Sequence, residues 1–355
     1  MSQEYAKNQP KGFSNHIERV AIVGAGGRLG GFIIKELCKT GKHTVTAITR
    51  ATSTTKLPDS VQAALVDYDD EDSLVKALHG QQFLIITLAF DAPGDTQPKL
   101  IRAAAKAGVP YVMPNWFAFD FANEQLMKDT PVPPEVEGVS SLIESLGVSS
   151  WVVLTTGLWY EYVLYSDNYG IDIRNRSVLW IDDARVRYSS STWPQMAKAI
   201  TALVSLKEFP DDENDKLPTL SQLRNNVVYI ASFSPTQKEV FNSVKKATGT
   251  SDKDWTFTSK TSKDHYEEGA AKTQKGDLSG FGTQIFGRLS FPTGEGDYES
   301  RRGLHNKTLG LSIEDIDAYT GIVVEAISSN QGLYAGTVVA PVSSHKALSA
   351  QGRDI

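Results

Sequence analysis

Short apolar, β-branched runs alternate with amphipathic stretches through the first 155 residues, with little slack between them. Runs at 19–23, 43–49, 61–66, 82–88, 109–113 and 150–155 predict strands. Stretches at about 28–40, 70–79, 95–107 and 134–146 predict helices, and Gly41, Gly80, Gly108 and Gly147 fall where those helices should stop. This alternation implies βαβ units and a parallel sheet covered on both faces. Beyond residue 156 the pattern loosens. Aromatics crowd 159–169, a strand-like Val178-Leu179-Trp180-Ile181 follows, and a helix is expected from about Pro194 to Lys207. After the acidic loop at 211–215 come a βα pair over 226–246, a polar and mobile stretch at 259–278, and a last helix near 312–327.

The first predicted strand runs into Gly24-Ala25-Gly26-Gly27-Arg28-Leu29-Gly30 and then into the apolar start of a helix. A strand, a tight glycine turn and a helix N-terminus together cradle a dinucleotide pyrophosphate, because the backbone approaches the phosphates closely and free N–H groups meet the charge. The glycines at 24, 27 and 30 fit GxxGxxG rather than GxGxxG, since Leu29 stands where the latter needs glycine. The fold class is therefore α/β: a Rossmann-type doubly wound parallel sheet with a smaller, interleaved C-terminal α/β substrate-side domain. Its expected organisation is a flexible N-terminus at 1–16, an NADP-binding domain at 17–156, a substrate-side domain at 157–342 and a flexible C-terminus at 343–355.

The second strand, which ends at Thr49-Arg50, selects the dinucleotide. An NAD site places a carboxylate there for the ribose 2′-hydroxyl, and an NADP site places a cation for the 2′-phosphate. No carboxylate occurs between Arg50 and Asp59, so NADP(H) is the expected cofactor, with Thr49 and Thr52 adding hydroxyls and Arg28 approaching from the turn. The alternative for Arg50 is a solvated loop residue. Three more places at strand ends should line the cofactor: Asp67-Tyr68, Leu88-Ala89-Phe90 and Pro114-Asn115-Trp116.

Composition narrows the class further. Of 355 residues, 40% are hydrophobic and 22% charged, which fits an ordinary globular protein. The net charge of −6 argues against nucleic acid as a partner. No apolar run approaches the ~20 residues of a membrane span and the first sixteen residues are polar, so cytoplasmic residence is the default. Cys38, the single cysteine, is expected as a buried structural thiol. The six histidines form no metal-ligand spacing, and no GxSxG elbow suggests a hydrolase.

With these motifs in hand, the chain resembles the NmrA-like family of atypical short-chain dehydrogenases/reductases, which includes isoflavone reductase-like proteins. The resemblance rests on the glycine turn, Ile48-Thr49-Arg50, the 67–80 segment, Ala103–Val109 and Met113-Pro114-Asn115-Trp116. Gly157-Leu158-Trp159-Tyr160-Glu161-Tyr162 is similar to a fungal branch, the CipA-like oxidoreductases. The resemblance implies the fold and the cofactor without specifying the reaction.

Short-chain reductases use a Tyr-x-x-x-Lys pair to move a proton beside the nicotinamide. None of the thirteen tyrosines has a lysine four residues on, and the lysine of isoflavone reductase-like enzymes is replaced by Val136. What remains is an aromatic-rich candidate pocket from Trp116, Phe117 and Phe119 after the fifth strand and Trp159, Tyr160, Tyr162 and Tyr165 after the sixth, half of them expected as packing. Candidate proton carriers are Tyr160, Tyr165, Lys128, Glu161 and Asp120, a carboxyl among aromatics being shifted upward. The leading expectation is an NADPH-dependent reductase of a hydrophobic or aromatic small molecule, such as a secondary metabolite, working as a monomer or homodimer. Two alternatives stay open: a dinucleotide-binding redox sensor without catalysis, and a redox-neutral cyclase or isomerase using the same pocket.

Overall fold

The computed structural model describes residues 4–89, 91–132, 136 and 138–334. The first half follows the expected alternation: β1 (Arg19–Val23), α1 (Arg28–Thr40), β2 (Thr44–Arg50), β3 (Val61–Val66), α2 (Glu71–Leu78), β4 (Phe83–Ile86), α3 (Thr96–Lys106) and β5 (Tyr111–Met113). Next come α4 (Glu124–Asp129), α5 (Val139–Leu146) and β6 (Ser150–Thr155). The helix start expected at 134 falls partly outside the described residues. Gly41 and Gly147 end α1 and α5 in the left-handed conformation, at φ 63° and 67°.

The second half adds β7 (Leu158–Trp159), α6 (Tyr160–Tyr165), β8 (Ile171–Asp172), β9 (Ser177–Ile181), β10 (Ser190–Ser191), α7 (Trp193–Val204) and β11 (Asn226–Tyr229). Then follow α8 (Gln237–Thr248), β12 (Thr256–Lys260), α9 (Ser262–Thr273), α10 (Gly280–Leu289), α11 (Tyr298–Arg302) and α12 (Ile316–Ser328).

Seven parallel strands form one sheet in the order β11-β6-β5-β4-β1-β2-β3. The chain leaves β1 toward β2 and β3, then returns to β4 and continues the other way. The crevice between the carboxyl ends of β1 and β4 is thus the topological switch point, where ligands bind in open α/β sheets. Val20–Val23 and Phe83–Ile86, the centre of the core, are no more than 1% exposed, as helices on both faces require. The second half is interleaved: β11 joins the main sheet, while β8, β9 and β12 form a separate small sheet.

The structure corrects three expectations. The 259–278 stretch holds the end of β12 and all of α9. α9 packs on α10 by backbone approach: a Cβ on Gly269 would stand 2.2 Å from the Gln284 nitrogen, and one on Gly287 2.5 Å from the Tyr266 nitrogen. That packing needs few apolar side chains. Residues 4–16 make contacts where fraying was expected: Ala6 N–H donates to the Pro210 carbonyl at 2.9 Å, and the Asn15 amide and Phe209 backbone exchange two hydrogen bonds of 2.8 Å. Cys38 is half-buried rather than buried and accepts from the Ser60 hydroxyl at 3.4 Å. Among the described residues no helix is long and apolar enough to cross a membrane.

An ion-pair cluster holds the loop after β5 in place. The buried Arg288 on α10 reaches Asp129, the last residue of α4, at 2.7 Å, and Glu295 at 2.6 and 3.0 Å. Hydrogen bonding to Arg288 holds the Glu295 carboxyl down at about 2. Arg288→Met should therefore cost about 3 kcal/mol in urea unfolding at pH 7, since it leaves carboxylates without their cation. Because the Glu295 carboxyl is depressed in the folded state, its contribution is complete above its unfolded pKa of about 4.5. The deficit should shrink as pH falls from there toward 2; a deficit that stays constant over that range would contradict the assignment.

Candidate functional site

The glycine turn closes the carboxyl end of β1 against the strand beside it. Gly24 has φ 79°, and a Cβ there would stand 1.8 Å from the Thr87 carbonyl oxygen just past β4. A Cβ on Gly30 would stand 2.1 Å from the Gly24 carbonyl oxygen. Gly27 caps α1 and Arg28 begins it, so the first-turn N–H groups, which have no partners within a helix, lie at the mouth of the turn. A dinucleotide phosphate fits this cradle: the backbone is bare, donors face outward, and the helix dipole favours negative charge. The Thr55 side chain lies over Gly26, 2.4 Å from where a Cβ would be, which brings the loop after β2 to the edge of the cradle.

Arg50 ends β2 with its side chain exposed, Thr49 is half-buried beside it, and Thr52 is exposed. Burial pushes the Tyr68 phenol up while the charge of Arg50 pulls it down, which places Tyr68 within electrostatic reach of that guanidinium. Asp67 is exposed and accepts from the Asp69 N–H at 2.9 Å. Asn115 clips two strand ends together: its Oδ1 accepts from Leu88 N–H at 3.1 Å, and its own N–H donates to Gln97 Oε1 at 2.6 Å. Pro114 is buried and Ala89 exposed, while Phe90 lies outside the described residues.

Five of the seven expected pocket aromatics (Trp116, Phe117, Phe119, Tyr160 and Tyr165) are buried. The Trp116 indole N–H donates to the Phe119 carbonyl at 3.0 Å, and the two rings meet edge to face at 4.9 Å. Tyr160 packs edge-on against Phe233 at 4.8 Å. Trp159 and Tyr162 are the half-buried members. Trp159 donates its indole N–H to the Phe117 carbonyl, which ties the start of α6 to the loop after β5. Tyr162 lies under the Arg28 guanidinium, 5.5 Å from ring centre to cation, so α6 also meets the glycine turn.

The proposed proton carriers are mostly engaged elsewhere. Lys128 extends outward from α4 with its side chain 65% exposed, 3.8 Å from Glu124. Asp120 is buried between Arg302 Nε at 3.0 Å and the Tyr229 hydroxyl at 2.8 Å. The Tyr160 hydroxyl is bonded to Thr320 at 2.5 Å, and burial pushes its phenol well up. Tyr165 donates to the Gln331 carbonyl at 3.3 Å. Glu161 is fully buried: one oxygen accepts from the Tyr334 hydroxyl at 2.6 Å and the Trp193 N–H at 3.3 Å, while the other has no hydrogen-bond partner among the described residues. Sequence reasoning missed Arg288, Arg302 and Tyr334. Arg302 and Tyr334 meet their carboxylates across 182 and 173 positions, so no local spacing announces them.

Burial pushes the Glu161 carboxyl up to about 7, against hydrogen bonds that favour its ionised form. A carboxyl raised in the folded state holds an extra proton between about 4.5 and 7, so its stability penalty grows over that window and is complete above it. Glu161→Gln should raise unfolding free energy at pH 8 by about 2–3 kcal/mol, with little change at pH 4.5. Equal effects at the two pH values would refute the buried acid.

The comparisons with known proteins match this geometry. Residues 16–159 match the NmrA-like family model. The oxidoreductase aprR of Aspergillus flavus is 25% identical over 307 residues, spanning 84% of this chain and 96% of the relative. The crystal structure of an isoflavone reductase aligns with a TM-score of 0.65 at 19% identity, over 86% of this chain and 98% of that one. The structure of AtPrR2 with NADP+ and (+)pinoresinol gives a TM-score of 0.67 at 18% identity, over 88% and 100%. The glycine turn, the seven-stranded order and these matches agree: residues 16–159 are similar to the NmrA-like family, and the chain has the fold seen in the isoflavone reductase structure.

Proposed function

We propose that the chain is an NADPH-dependent reductase of a hydrophobic, aromatic small molecule of the secondary-metabolite kind. The observation that carries this reading is the glycine turn at the β1/β4 switch point with the exposed Arg50 at the end of β2 and no Asp or Glu in the eight residues that follow it. The cradle takes the pyrophosphate on the first turn of α1, and Arg50 takes the 2′-phosphate, with Thr49 and Thr52 as hydroxyl donors and Tyr68 beside the guanidinium. Leu88, Asn115 and Trp116 stand at the ends of β4 and β5 on the nicotinamide side. When bound, the cofactor supplies a hydride.

The name of aprR as an oxidoreductase and the NADP+ in the AtPrR2 structure support the reading, and the bound (+)pinoresinol there supports an aromatic substrate. The half-buried Trp159 and Tyr162 offer this chain's aromatic surface beside the turn. A cytoplasmic monomer or homodimer is the working state in this proposal.

Calorimetric titration should show NADPH binding at least ten-fold tighter than NADH. Arg50→Ala should weaken NADPH by about 10- to 100-fold, as expected for a charge-assisted phosphate contact, and leave NADH unchanged. Equal affinity for the two cofactors would overturn the assignment. With a panel of aromatic ketones and enones, loss of nicotinamide absorbance should match product one to one. Product without that loss would point to redox-neutral catalysis, and tight binding without turnover to a sensor.

A further inference from the structure

Two of the standard proton-delivering groups of related reductases are missing from this sequence, and the structure engages or displaces the five substitutes that local position suggested. α6 nevertheless carries a third tyrosine between Tyr160 and Tyr165. Two residues along a helix turn a side chain by about 200°, so Tyr162 leaves the helix on the side opposite Tyr160. Tyr160 and Tyr165 are buried with bonded hydroxyls, whereas Tyr162 is half-buried and its hydroxyl has no hydrogen-bond partner among the described residues.

Its position is fixed from two sides. The preceding β7 residue, Trp159, is tied through its indole to the Phe117 carbonyl in the loop after β5. The Tyr162 ring itself lies 5.5 Å from the guanidinium of Arg28, the first residue of α1. The ring therefore lies beside the first residue of α1, next to the glycine turn, on a helix whose start is tied to the loop after β5.

We propose that Tyr162 is the proton donor of the reductase and that Arg28 is its positioning residue. The proposal rests on the reductase reading above. When bound, the nicotinamide cofactor would supply a hydride to the carbon end of a polarised double bond in the substrate. The Tyr162 O–H bond breaks as its proton passes to the other end. The phenolate then regains a proton from solvent, so one NADPH and one proton are consumed per product. The Arg28 cation lies against the ring face, where it attracts the charge that transfer leaves on the phenolate and fixes the ring's orientation. The pair thereby unites, from two distant segments, the phenol and the cation that Tyr-x-x-x-Lys places on one helix.

Two measurements test this on the full chain. Nitration with tetranitromethane, followed by peptide mapping, should modify Tyr162 but spare Tyr160 and Tyr165, and saturating NADPH should protect Tyr162 at least five-fold. Tyr162→Phe should lower kcat at least 100-fold, the usual range for a general acid, while KM and the NADPH Kd stay within about three-fold. Arg28→Met should also lower kcat, and Arg28→Lys should recover part of it. Nitration of Tyr162 that ignores NADPH, or a Tyr162→Phe variant with a third or more of the wild-type kcat, overturns the proposal. Failure of the wild type to bind NADPH overturns instead the reductase reading on which it rests.

Discussion

The contact on which the site depends is the near-collision at the carboxyl end of β1. The Gly24 backbone passes so close to the Thr87 carbonyl, and α1 starts so close to Gly24, that a methyl group fits at neither Gly24 nor Gly30. This steric limit places the helix start directly above the strand end. It also sets α1 at the switch between the two halves of the sheet, with its first-turn donors facing the crevice. The fully buried runs of β1 and β4 make that placement rigid, since parallel strands covered on both faces have little room to shift. Arg28, Tyr162 and the loop after β5 are arranged around this one point.

The first half of the fold was legible because its elements declare themselves locally. The apolar run Val20–Val23, the glycines after it and the amphipathic face of α1 each give a short-range signal, and they agree. The same holds for β2, β3 and α2, where Asp70 caps the helix through the Asp72 N–H. α9 escaped detection because its packing surface is a lack of side chains. It buries Ser262 and Gly269, and a polar sequence with glycines reads as a loop when hydrophobic period is the guide.

The candidate site was legible in its backbone and poorly legible in its chemistry. Gly24, Gly30, Arg50 and Asn115 stand where strand ends and turns must put them. The titratable groups chosen by nearness along the chain did not come together: Asp120 is consumed by Arg302 and Tyr229, Glu161 by Tyr334, and Lys128 faces solvent. Whether a buried acid is available for chemistry depends on partners brought by the fold from more than a hundred positions away. Tyr162 differs from its neighbours in helix phase, in exposure, in a hydroxyl unbonded among the described residues, and in the arginine that covers it.

The clamps on the loop after β5 have a consequence for how this segment can be exchanged. Asp120 is bound to Arg302 and Asp129 to Arg288, so the two ends of this loop are neutralised by residues of the C-terminal helices α11 and α10. A graft of residues 114–132 from a relative, made without the 288–302 region, would leave the buried Arg288 with Glu295 alone and the exposed Arg302 without Asp120. Carrying the loop alone into another scaffold would likewise leave Asp120, with its side chain 5% exposed, without its guanidinium. The loop and the helices that neutralise it thus form one electrostatic unit.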